Sequence, residues 1–202
     1  WGYDPKNYNV PEGLYSTNPY DGNVRITEFK QLIQALHDRG ISVVMGVVYN
    51  HTFGSDKSPF TYTVPGYYYR MESATQYINC TACGNTLATD KKMFKNYMMQ
   101  SLKFWAEEYH VDGFRFDLMG AHDYQVMNEI RTMFDGMYGG EGKKVIMYGE
   151  PWTGTGGFSG LNAANQCTIN NASKLKERIG CFNDTTRDAI QKWFKGDDTQ
   201  TN

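Results

Sequence analysis

Along this 202-residue chain, apolar stripes of helical spacing alternate with short β-branched runs. That alternation restricts the fold to parallel βαβ units. Phe29, Leu32, Ile33 and Leu36 recur at helical spacing, with Thr27 as the expected N-cap and Gly40 as the stop. Residues 41–49, ISVVMGVVY, then read as a parallel strand buried on both faces. Asp90 is expected to cap a helix over 91–109, whose stripe is Phe94, Met98, Leu102, Trp105 and Ala106. A second strand follows at 111–116, a helix at 123–137, a third strand at 144–148 and a last helix at 187–195. Residues 1–23, 50–90 and 151–186 carry no clear period and read as loops; one as long as 50–90 is expected to be functional. The order fits either a doubly wound sheet or a (β/α)8 barrel. A full barrel takes about 250 residues and eight strands. Three strands therefore make residues 1–202 a single segment of a barrel, truncated at both ends, if a barrel is the parent.

Several function classes fall away. Lys plus Arg is 20 and Asp plus Glu is 22, a net charge of −2, so no basic excess exists to grip nucleic acid. The run at 41–49 is far short of the roughly 20 apolar residues that a membrane helix requires. GGEG at 139–142 precedes a strand instead of opening a helix, so it is no phosphate-binding turn. Cys80 and Cys83 have CxxC spacing, but Cys167 and Cys181 are fourteen apart and do not repeat it. Loop thiols or one disulfide are expected there, and no metal site. Thirty aromatic residues exceed what a core of this size needs and suit a ligand with flat apolar faces.

In parallel α/β folds chemistry gathers at the C-terminal ends of the strands. Those ends here are Tyr49-Asn50-His51-Thr52, Arg115-Phe116-Asp117 and Tyr148-Gly149-Glu150-Pro151-Trp152. Adjacent parallel strands lie ~4.8 Å apart, so Asp117 and Glu150 can approach the roughly 5 Å separation of a retaining glycosidase. Arg115, two residues before Asp117, shares its face and keeps it ionised, which favours Asp117 as nucleophile. Glu150 has no cation beside it in sequence, and an apolar wall there would suit a proton donor. His51 can hydrogen-bond a sugar hydroxyl. Tyr3 and Trp152 offer ring faces for stacking, and of Tyr67, Tyr68 and Tyr69 at least one is expected to reach solvent or ligand.

MGVVYNHT at 45–52, GFRFDLM at 113–119 and YGEPW at 148–152 resemble three short regions of the alpha-amylase superfamily of glycoside hydrolases. WGYDP at 1–5, the stretch 11–45, GYYYR at 66–70 and CGN at 83–85 resemble type I pullulanases, which debranch alpha-glucans. The resemblance implies a (β/α)8 barrel, here its third to fifth strands, and retaining hydrolysis of alpha-1,6 linkages in pullulan, starch or glycogen. It implies Asp117 as nucleophile, Glu150 as acid/base, and Arg115 orienting Asp117. Asn50 lies in the matched first region. The resemblance also implies His51 and Tyr3 around the cleaved sugar, Trp152 on the acceptor side, and Leu118 and Met119 shaping the cleft. No cofactor is expected, since calcium would need an acidic ligand cluster that the sequence does not display. Two departures stand out. Gly46 occupies the place of the family's usual Asp, and no match to the fourth region, a His-Asp pair, follows Glu150. The isolated segment is therefore expected to be inactive, as a sugar-binding or structural piece, while a related alpha-amylase or isoamylase remains an alternative parent. The parent is expected to act outside the cell or at its surface, where starch-like polymers are met, with cytoplasmic glycogen debranching as the alternative.

Overall fold

A computed structural model describes residues 2–154 and 160–196. Within these the elements run α1 (Gly22–His37), β1 (Val44–Val47), α2 (Pro59–Thr63), α3 (Lys92–Tyr109), β2 (Gly113–Phe116), α4 (Tyr124–Gly136), β3 (Ile146–Gly149), β4 (Gly180–Cys181) and α5 (Asp184–Lys195). The strands form one parallel sheet in the order β1-β2-β3-β4. A doubly wound sheet reverses its strand order at a switch point, whereas a barrel adds each strand beside the last. Among the described residues the order is sequential, so the sheet is wound as a barrel is.

Register then sorts the side chains. Val44 pairs with Gly113, Gly46 with Arg115, Arg115 with Tyr148, and Phe116 with Gly149. Alternation sends Val47, Phe114, Phe116 and Met147 to one face, where the stripes of α3 and α4 bury them in a common core with Phe94, Met98, Leu102, Ile130 and Phe134. Val44, Gly46, Arg115 and Tyr148 take the other face, which no helix among the described residues covers. The expectation of a first strand buried on both faces is corrected accordingly: Gly46 is exposed and Ile41 is 49% exposed.

Other local expectations also shift. Helix α1 begins at Gly22, capped by Asp21 accepting from Asn23 N–H at 2.9 Å, so Thr27 is interior rather than the cap. Glu28 reaches back to accept the Thr17 N–H and hydroxyl, tying the early loop to α1. Asp90 does not cap α3, because Arg70 takes its carboxylate. The segment 50–90 contains α2, opened by Ser58 as N-cap and Pro59 at the first helical position. A fourth strand, two residues long, pairs with β3. Much of the aromatic surplus packs internally: Tyr8 stacks on Tyr49 at 5.4 Å, and Phe60 meets Tyr68, Phe94 and Tyr97. Of the tyrosine triplet, Tyr69 is buried while Tyr67 and Tyr68 are half-buried.

His122 is buried behind the site loop that follows β2. Its Nδ1 lies 3.0 Å from Thr89 Oγ1, and its Nε2 has no hydrogen-bond partner among the described residues. Burial first, and then the charge of Arg70, pull its pKa down to about 3. No helix among the described residues is long and apolar enough to cross a membrane.

Candidate active site

The turn after β2 is built for close approach. Leu118 adopts a left-handed conformation (φ 41°), and the chain then makes one 3-10 turn, Met119–Ala121. Gly120 N–H lies 3.1 Å from the Glu150 carbonyl and 3.2 Å from that of Trp152. A Cβ at Gly120 would sit 2.5 Å from the Trp152 backbone, so only glycine allows the two strand-end loops to dock. Gly120→Ala is expected to destabilise the fold by about 1–3 kcal/mol through this overpacking. Urea unfolding checks it, and a midpoint equal to that of the parent would contradict the docking.

Two strand ends converge on one guanidinium, and the third reaches it through Asp117. Arg115 Nη1 donates to Asp117 Oδ1 at 3.3 Å, and Nη2 donates to Glu150 Oε1. Asp117 Oδ2 accepts from Asn50 Nδ2 at 2.9 Å, and the same amide donates to the Asp117 carbonyl at 2.8 Å. Glu150 Oε2 accepts the Leu118 N–H at 2.8 Å. The expectation that Glu150 lacks a cation is therefore corrected: Arg115, distant in sequence, crosses from β2 to reach it. Rings flank the guanidinium, with Tyr3 at 5.9 Å and Phe182 at 5.8 Å from its carbon.

The Asn50 amide also sets His51. Because its NH2 group serves Asp117, its oxygen accepts from His51 Nδ1–H at 2.5 Å. His51 Nε2 then faces Asp4 Oδ1 at 3.3 Å. His51 itself is buried (2% exposed), and its carbonyl accepts the Tyr8 hydroxyl at 3.0 Å. Cys83 lies beside this pair. Burial first, and then the Asp4 and Asp117 carboxylates, push its thiol up. All four cysteines are free thiols.

The arrangement thus gathers Asp117, Glu150, Arg115, Asn50, His51 and Tyr3 at one rim. Trp152 is half-buried with its ring 6.1 Å from Phe182. Leu118 contributes its N–H as well as a half-buried side chain. Met119 is corrected: it is fully buried in the core, packed beneath Gly149, and does not line the cleft. Trp1 of the WGYDP motif lies outside the described residues. Sequence reasoning missed Asp4, whose signal was its place in that motif, and Phe182, which follows a strand too short to show a period. Gly46, Arg115, Tyr148, Phe182 and Tyr3 line a cavity of about 510 Å³ on the uncovered face of the sheet. A Cβ at Gly46 would meet no heavy atom within 4 Å, so an Asp would fit opposite Arg115; here Asp117 and Glu150 hold that guanidinium without it.

No family model matches the chain. It is 36% identical over 191 residues to a pullulanase of Bacillus subtilis, covering 95% of this chain and 26% of that protein. Its backbone matches the crystal structure of a pullulanase from Paenibacillus barengoltzii in complex with maltohexaose and alpha-cyclodextrin, with TM-score 0.86, 44% identity and coverage of 94% of this chain and 28% of that one. A pullulanase structure from Bacillus acidopullulyticus matches with TM-score 0.85 and 47% identity, over 93% of this chain and 22% of that one. By sequence and backbone together, the chain is similar to a segment of the pullulanases, spanning about a quarter of the length of the relatives it matches.

Proposed function

We propose that the protein containing this segment is a retaining glycoside hydrolase that cleaves alpha-1,6 linkages in branched alpha-glucans. The observation that supports it most is the single Arg115 guanidinium joining two carboxylates from adjacent strand ends. Such placement suits a double displacement. Asp117, held at one oxygen by Arg115 and at the other by Asn50, attacks the anomeric carbon and forms a glycosyl ester. Glu150 gives its proton to the departing glucosidic oxygen, then takes one from the water that hydrolyses the ester. Both Glu150 oxygens are acceptors in the resting arrangement, so the acid form exchanges its bond with Arg115 or Leu118 for one with the leaving oxygen. His51 offers its Nε2 edge to a hydroxyl of the bound sugar, Tyr3 its ring face, and Trp152 a wall on the acceptor side. The maltohexaose and alpha-cyclodextrin in the P. barengoltzii complex support an alpha-glucan as the ligand.

Pullulan and unbranched amylose separate this reading from that of an alpha-amylase. The expected outcome is maltotriose released from pullulan with amylose left intact, the new reducing end appearing first as the α-anomer by proton NMR. Cleavage of amylose alone, or a β-anomer formed first, would overturn it.

A further inference from the structure

Asp4, His51 and Cys83 present one ligand atom each, all within 4.8 Å of one another. Three separate stretches of chain carry them, and hydrogen bonds knit those stretches together. Phe53 N–H donates to the Pro5 carbonyl at 2.9 Å, which fixes the Asp4 segment against the one that follows His51. Asn85 exchanges two bonds with Thr52: its Oδ1 accepts the Thr52 N–H at 3.0 Å, and its Nδ2 donates to the Thr52 carbonyl at 2.8 Å. That clamp holds the Cys83 turn beside His51. The turn is braced further by Thr81 Oγ1 donating to the Asn85 carbonyl at 2.6 Å and by Gly84 N–H donating to Asn79 Oδ1 at 2.7 Å.

The hydrogen-bond inventory defines what the imidazole can do. Asn50 Oδ1 is an acceptor and takes the proton on Nδ1, so neutral His51 carries its lone pair on Nε2. That lone pair points at a carboxylate oxygen 3.3 Å away. Two acceptors face to face call for a shared cation, a proton or a metal. A carboxamide holding the far nitrogen is the kind of support that fixes a metal-ligating histidine. In a tetrahedral zinc site with bonds of about 2.0–2.3 Å, ligand atoms stand roughly 3.4 Å apart. The histidine–aspartate pair is already at that spacing. Cys83 is exposed, so its side chain can turn inward.

We propose that Asp4, His51 and Cys83 form a three-ligand site for a thiophilic divalent cation of the zinc class, and that a cation seated there closes the sugar cleft by occupying His51 Nε2. Thiolate, imidazole and one carboxylate suit zinc and not calcium or magnesium, which require several oxygens. On binding, the thiol loses its proton to solvent as the sulfur–metal bond forms. The metal site stands on the tripod alone; its effect on the cleft rests on the proposed function.

Cobalt(II) titration of the 202-residue chain tests the site. One equivalent is expected to produce a near-ultraviolet thiolate-to-cobalt charge-transfer band that zinc displaces. Cys83→Ser should abolish the band and weaken zinc binding by about 100-fold, while Cys181→Ser should leave both unchanged. No band in the parent chain, or a band that survives in Cys83→Ser, would overturn the site. Maltotriose titration of the protein containing this segment tests the consequence: saturating zinc is expected to weaken binding by about tenfold or more in that protein and not in its Cys83→Ser variant. A cobalt band without any maltotriose binding would sink the glucan reading and leave the metal site standing. Maltotriose binding that zinc does not alter, with the band present, would overturn the closure.

Discussion

Asp117→Asn is expected to lower pullulan hydrolysis by the protein containing this segment on the order of 10⁴-fold or more, as removal of a covalent nucleophile does. Asparagine keeps the size of the side chain but can accept from only one of Arg115 and Asn50, so urea unfolding of the variant separates lost chemistry from lost folding. Glu150→Gln is expected to be similarly severe on pullulan. The two variants should part on α-maltotriosyl fluoride, whose leaving group needs no proton. Glu150→Gln should still form the glycosyl ester rapidly and then stall, whereas Asp117→Asn should not form it. Mass spectrometry of the trapped ester reads the difference. An ester formed by Asp117→Asn, or near-normal pullulan turnover in either variant, would remove the assignment.

The second large effect concerns acid stability. An unperturbed histidine titrates near about 6.5, and folded His122 is drawn down to about 3. Between those values the unfolded chain takes up a proton that the folded chain refuses. The stability present above about pH 6.5 is therefore lost as pH falls toward about 3, at up to about 1.4 kcal/mol per pH unit. His122→Asn removes this contribution. Its stability deficit relative to the parent, read from urea unfolding, should shrink by several-fold between pH 7 and pH 4. Asp123, whose carboxyl is raised by burial, works in the opposite direction in both chains, so the difference between them isolates His122. Parallel stability curves across that window would show that His122 is not the acid-sensitive group.

The long helices were legible because burial on one face imposes a period, and the strands because their residues form short apolar runs. Helix α3 begins at Lys92 and α4 at Tyr124, each one residue from the expected start. The start of α1 was not legible, because Gly22 and Asn23 are poor helix formers and only the Asp21 cap reveals it. Nor was β4, whose two residues cannot display alternation. At the site, the Arg115–Asp117 contact followed from their spacing. The Arg115–Glu150 contact spans 35 residues and arises from strand register, which the sequence of either strand does not contain. Met119 illustrates the converse error: it was expected beside Leu118 at the cleft, but turns inward where Leu118 takes a positive φ.

One guanidinium serving two acids means that neither can be subtracted in isolation. Neutralising Asp117 hands Arg115 wholly to Glu150, and neutralising Glu150 hands it wholly to Asp117. The surviving partner in each single variant is thus a changed group, held more tightly than in the parent. The energetic losses of the two variants will not sum to that of the double replacement, and the size of the shortfall measures how strongly the two charges are yoked.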